Sequence, residues 1–209
     1  MNISLAAITE LRNKTGAGLL MTKKALEDAK GDMDAAEILL RQQGVTIGQG
    51  RASRATHEGV VDCYIHTGSR TGVMIEVQCE TDFVARNQEF RTFVRDLCLQ
   101  IAATKPTYIS RKEIPEAEIQ KEFQIYRVGL EGKPQMAQDK IIAGKFDKFY
   151  ASVCLLDQPF VKDPSKTIAE LLAEQTLKTR ENIQIKRFVR YEIADVPDSI
   201  KENVANGCH

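Results

Sequence analysis

Thr81-Asp82-Phe83-Val84-Ala85-Arg86 joins two segments of different periodicity, and its reading decides the fold. Before it, Val73, Ile75, Val77 and Cys79 alternate with Met74, Glu76, Gln78 and Glu80, the period of a half-buried strand. After it, Phe90, Phe93, Val94, Leu97, Cys98 and Ile101 recur at helical spacing, with Asn87 placed to cap them. Phe83 and Val84 therefore stand at a strand-to-helix junction, where polar turn residues are usual. Either Phe83 folds back as a staple on the helix it precedes, or it protrudes as an apolar wedge beside the Asp82 carboxylate, shaped to enter another protein.

Working outward, Val61, Cys63 and Ile65 alternate ahead of a glycine-bearing turn, so the Val73–Cys79 strand closes a hairpin. Downstream, Pro115 opens a helix with Ile119, Phe123, Tyr126 and Leu130 in register, and a shorter helix ends before Gly144. Phe149, Ala151, Val153 and Leu155 alternate as a third strand. Thr167 and Glu170 have capping-box spacing ahead of a further helix, and Ile183, Ile185, Val189, Tyr191 and Ile193 mark a fourth strand. Upstream, three short helices occupy residues 1–45. Ser4 caps the first, Thr15-Gly16-Ala17-Gly18 breaks the chain, and Asp32 caps a third that runs to Gly44. Residues 46–57, with Gly48, Gly50, Ser53, Arg51 and Arg54, have linker composition. The expected organisation is α+β: a helical module (1–45), a linker (46–57), an antiparallel sheet packed with helices (58–195) and a disordered tail (196–209).

Composition narrows the function. Of 209 residues, 43% are apolar and 28% charged, with 29 basic and 29 acidic residues cancelling. That balance argues against a general affinity for nucleic acid. No apolar run approaches a membrane span, and Met1-Asn2-Ile3-Ser4-Leu5 lacks the features of a secretion signal, so a cytoplasmic address is expected. Cys63, Cys79, Cys98 and Cys154 fall in apolar patterns and read as small buried hydrophobes; Cys208 is the thiol expected to react freely. His57, His66 and His209 are scattered singly, which suggests no metal site. Gly16 lacks the glycine-lysine pair of a phosphate-cradling loop, and no hydrolase, zinc-protease or dinucleotide signature is present. An enzyme is therefore disfavoured, and no cofactor is expected.

Leu11-Arg12-Asn13-Lys14-Thr15-Gly16-Ala17-Gly18-Leu19-Leu20-Met21-Thr22-Lys23-Lys24-Ala25-Leu26 closely resembles the N-terminal signature of the bacterial elongation factor Ts family. Glu76 to Asn87 resembles its second signature. Further likeness runs through Glu131-Gly132-Lys133-Pro134, Gln158 to Asp163, and Arg187 to Glu192, in the family's order. The resemblance implies a guanine nucleotide exchange factor for the translational GTPase elongation factor Tu. It implies that the three helices form a ubiquitin-associated-like docking module, with Arg12, Thr15, Gly16, Leu19 and Leu20 at contact positions. It also implies that Thr81, Asp82, Phe83 and Val84 form the wedge that intrudes near the partner's magnesium and phosphate site. From the residues alone, the favoured reading of Leu19 and Leu20 is that they close the core of a tiny bundle.

The chain departs from the family after its last strand, where Ile193-Ala194-Asp195-Val196-Pro197 replaces a glycine-glutamate-glycine turn. It looks like a short form, with one hairpin-plus-helices unit and neither the duplicated core nor the inserted helical hairpin of longer members. A small sheet of this kind leaves an apolar face or edge to cover, so a homodimer is expected. The rival readings are a ubiquitin-associated-like adaptor, a ribosome-binding module using Arg51, Arg54, Lys23 and Lys24, and a thiol enzyme using Cys79 near Asp82.

Overall fold

A computed structural model of the chain describes residues 3–193, apart from the side chains at positions 45, 48 and 49. The tail at 196–209 and Cys208 lie outside the described residues.

Short-range side-chain chemistry fixes the N-terminal helices. Ser4 Oγ accepts from the Ala7 amide at 3.1 Å and starts α1 (Leu5–Thr15). After α2 (Leu19–Asp28), Asp32 Oδ1 accepts from the Asp34 and Ala35 amides, both at 3.0 Å, and starts α3 (Met33–Arg51). Ile8, Leu11, Ala17, Ala25, Leu26, Ala36 and Leu40 share one buried cluster, completed from far along the chain by Leu177.

The third helix does not stop at Gly44 but runs on to Arg51, so residues 46–51 are helical. Gly44 is a close-approach residue: a Cβ there would lie 3.2 Å from the Ala173 carbonyl oxygen. The non-helical stretch that follows is tied to the rest of the chain. The Ala52 and Arg54 carbonyls accept from Gln184 Nε2 at 3.2 Å and Asn182 Nδ2 at 2.8 Å.

β1 (Glu58–Ile65) and β2 (Thr71–Cys79) form the expected hairpin, and β5 (Gln184–Glu192) adds to the other side of β2, giving an antiparallel sheet of order β1-β2-β5. Val73, Ile75, Val77 and Cys79 are buried against α5 (Gln88–Thr104), which supplies Phe90, Phe93, Val94, Leu97, Cys98 and Ile101. In β1 the inward residues are Val60 and Tyr64, whereas Val61, Cys63 and Ile65 face outward. Cys63 is therefore exposed, contrary to the expectation that it would be buried. On β5 the register shifts opposite Glu76 and Val77. That irregularity changes the strand's parity: Ile185 and Phe188 point to the core, while Val189 and Tyr191 point out.

Two further expectations fail between α5 and β5. Phe149, Ala151 and Val153 are not a strand but the end of α7 (Gln135–Val153), which passes through Gly144, and Leu155 opens a short 3-10 turn. Apolar residues at 149 and 153 satisfy a period of 2 and a helical i, i+4 spacing equally. α7 is paired with α6 (Glu116–Arg127), so the chain does carry a helical hairpin. Tyr126 meets Phe146 edge-on at 5.3 Å, and Arg111 lies over the Tyr150 ring at 4.2 Å. A two-stranded ribbon of β3 (Pro159–Phe160) and β4 (Asp163–Thr167) also escaped the sequence reading. It is pinned by buried Gln100, whose amide donates to Gln158 Oε1 and the Pro159 carbonyl, each at 3.1 Å, and accepts from the Val161 amide at 2.8 Å.

α8 (Ile168–Thr179) begins in the expected capping box of Thr167 and Glu170. It lies between the two cores. Ile168, Leu171 and Leu172 belong to the sheet cluster, and Leu177 belongs to the cluster of α1–α3. The architecture is α+β.

Candidate partner-binding site

Two elements gather the residues singled out from the sequence. The first is the turn between α1 and α2. Gly16 ends α1 at φ +69°, a left-handed conformation that favours glycine, and donates its amide to the Arg12 carbonyl. Thr15 Oγ1 donates to the Leu11 carbonyl at 2.7 Å and accepts from the Ala17 amide at 3.3 Å. Ala17 is buried, which anchors the turn, and Gly18 starts α2. Leu19 and Leu20 are 51% and 81% exposed, so they do not close the bundle core. Arg12 is exposed in the last turn of α1.

The second element is α4 (Asp82–Arg86), a single turn of helix directly after β2. Thr81 caps it, its hydroxyl accepting from the Val84 amide at 3.5 Å. Asp82 pairs with Arg86 at 3.1 Å across one turn. Phe83 is 82% exposed and makes no staple onto α5. Val84 turns the other way, against the sheet core, with Ala85 buried behind it. Phe83 thus forms the exposed tip, with Thr81 and Asp82 half-buried beside it and Val84 as its root.

Behind this tip sits a residue that the sequence reading missed. Glu181 accepts at one carboxylate oxygen from the Glu80 and Thr81 amides, at 3.0 and 3.1 Å, and at the other from the Thr81 hydroxyl at 2.6 Å. Glu80 in turn accepts from the Asn182 amide at 2.6 Å. No local pattern announces Glu181, because its partner lies 100 positions earlier.

The same surroundings dispose of Cys79. Its thiol is buried and donates to the Thr81 carbonyl at 3.2 Å. Burial, reinforced by the charge of Glu181, pushes its pKa up to about 11. A thiol held protonated at neutral pH is a poor nucleophile. Among the basic residues of the ribosome-binding reading, Arg54 is paired with Glu80 at 3.5 Å and Lys23 with Glu27 at 3.7 Å.

The Elongation factor TS family profile matches residues 21–195, a stretch that contains α4 and begins just after Leu20. The chain belongs to the elongation factor Ts family. It is 50% identical over 192 residues to the Elongation factor Ts of Thermoanaerobacter sp. (strain X514), covering 91% of this chain and 94% of the relative. It is 46% identical over 205 residues to that of Acetivibrio thermocellus, covering 97% and 95%. It is also 47% identical over 199 residues to that of Thermodesulfovibrio yellowstonii, covering 95% of this chain and all of the relative. Membership in the elongation factor Ts family places the chain among translation elongation factors. Among the described residues, no helix is long and apolar enough to cross a membrane.

Proposed function

We propose that this chain is a guanine nucleotide exchange factor that binds elongation factor Tu·GDP in the cytoplasm and promotes release of GDP, so that GTP can rebind. It acts by binding, with no catalytic residue, metal or cofactor of its own. Residues 1–45 serve as the docking module, meeting the GTPase through Arg12, Thr15, Gly16, Leu19 and Leu20. Thr81, Asp82 and Phe83, rooted by Val84, enter near the partner's magnesium and phosphate site and disturb it. The observation that carries the reading is Phe83. In a chain of this family, a phenylalanine stands at the tip of a capped helical turn, left 82% exposed by the described residues.

Such a factor must bind the empty GTPase more tightly than the GDP form, and the coupling is reciprocal. Speeding release about ten-thousand-fold requires lowering the barrier by roughly 5–6 kcal/mol. Burial of one phenylalanine ring supplies about 1.5–3 kcal/mol. The remainder has to come from disturbed magnesium and phosphate contacts and from simultaneous docking of the helical module. The test is release of labelled GDP from elongation factor Tu with and without the protein. Acceleration by orders of magnitude is expected; an unchanged rate rejects the reading.

The proposed assembly is a homodimer, formed through the outer face of the sheet. Val61, Ile65, Met74, Val189 and Tyr191 are all exposed there. Cross-strand pairing places Cys63, Met74 and Val189 in one row and Ile65, Gly72 and Tyr191 in the next. A second copy offers the same apolar rows, as a two-fold interface requires. Sheet against sheet is the packing that buries such a face.

A further inference from the structure

We propose that the turn closing α8, through Lys178 and Glu181, fixes the wedge relative to the docking turn, so that a GTPase seated on the docking turn meets Phe83 in one place. The proposal rests on the exchange reading above and assigns these two residues as positioning residues.

Neighbouring side chains of this turn reach both elements. The Lys178 stem covers Gly16: a Cβ on that glycine would lie 2.5 Å from Lys178 Cγ. The Lys178 ammonium is paired with Glu89, on the first turn of α5 and just past the wedge helix. The Arg180 guanidinium packs over Gly18, while its backbone is left-handed at φ +59°. A non-glycine residue holds that conformation only when its surroundings impose it. Glu181 follows and takes its three hydrogen bonds from Glu80 and Thr81. Leu177, immediately before, is buried among the N-terminal helices.

A helix of one turn has no stability of its own, so the direction of α4 is imposed from outside. Glu181 does this through one hydroxyl. By accepting the Thr81 proton at 2.6 Å, it leaves the Thr81 oxygen free to accept from the Val84 amide. An ionised acceptor strengthens each of these bonds, and its charge also favours the amides at the start of α4. A glutamine at 181 would turn an NH2 toward donors on one side and lose part of the set.

The test uses the full chain. Nitroxide labels on unnatural residues at Lys24 and Phe83 report the distance between the two elements, and unlabelled proteins are assayed for GDP release from elongation factor Tu. Wild type should give one narrow distance distribution. Glu181→Gln and Thr81→Val should broaden it and lower the maximal exchange rate about tenfold or more, as misplacement of a contacting group does. The half-saturating concentration should change by less than about threefold, since the docking surface is intact. Thr81→Ser, which keeps the hydroxyl, should restore the narrow distance distribution. A narrow distribution in Glu181→Gln, or a broad one with an undiminished maximal rate, overturns the proposal. If wild type itself fails to accelerate release, the exchange reading falls and takes the proposal with it. An active wild type matched by an equally active Glu181→Gln refutes the positioning role alone.

Discussion

Phe83 and the outer face of the sheet both offer apolar surface to water, but they are built in opposite ways. Phe83 stands alone: Asp82 beside it is ion-paired with Arg86, Thr81 is bonded to Glu181, and Val84 points inward. The sheet face is continuous across three strands, with the Glu76–Arg187 pair at 2.7 Å as a charged neighbour on the same side. A single exposed ring is ordinary and costs little in the free protein, so it can enter and leave a partner. A contiguous apolar face is a standing liability and needs lasting cover. The contrast fits the roles proposed for them, transient insertion for Phe83 and lasting association for the sheet face, and the two should fail independently under mutation.

The largest effect is expected on association. Met74→Glu with Val189→Glu places charges opposite each other in the central row of the face, as the Met74–Val189 pairing requires. Sedimentation well above micromolar concentration should give a dimer for wild type and a monomer for the double variant. Exchange per chain should persist. A wild-type monomer would break the comparison, because the face would then need no second copy.

A matched pair of glycines sharpens it next. Both Gly44 and Gly144 lie inside helices, where alanine is intrinsically better by about 0.5–1 kcal/mol. Gly44 faces the Ala173 backbone at the α3–α8 seam, whereas a Cβ at Gly144 would meet nothing within 4 Å. Gly44→Ala should lower stability by about 1–3 kcal/mol through overpacking. Gly144→Ala should raise it by about 0.5–1 kcal/mol and leave exchange and mass unchanged. Chemical denaturation measures both; equal effects would mean that the seam is loose.

The smallest effect is a pH dependence within the N-terminal helices. The hydrogen bond from Lys14 holds Glu37 below the usual carboxylate range, against the opposing effect of partial burial. A carboxylate with a lowered folded pKa contributes stability above its unfolded pKa and loses it as pH falls through the folded value. Glu37→Gln should therefore melt lower than wild type near neutral pH, with the gap closing in acid. A gap that widens on acidification has the wrong sign.

Much of this was legible because it is local. Ser4, Asp32, Asn87 and Thr167 each cap within three residues of themselves, and all four act as their spacing suggests. The strand before α4 and the helix after it were equally clear, since each keeps one period throughout. Gly44 misled because a glycine that ends a helix and one that lets another backbone approach look identical in sequence, and Gly144 misled because a glycine inside a helix with open space around it carries no mark either. Only the position of Ala173 tells them apart at Gly44. The parity change on β5 comes from a register irregularity that no composition marks. Within the site, the exposed tip could be found from its misplaced apolar residues, but its support could not. Glu181 is one acidic residue among many until the fold brings it to Thr81.

The central claim is that Phe83 is surface used in the complex. Melting and GDP release, measured together on Phe83→Ala, test it most directly. The account predicts markedly slower release from elongation factor Tu, with stability changed by less than about 1 kcal/mol, as for an ordinary exposed substitution. Normal exchange by a variant destabilised by about 3–5 kcal/mol, the cost of deleting a core aromatic, would contradict it.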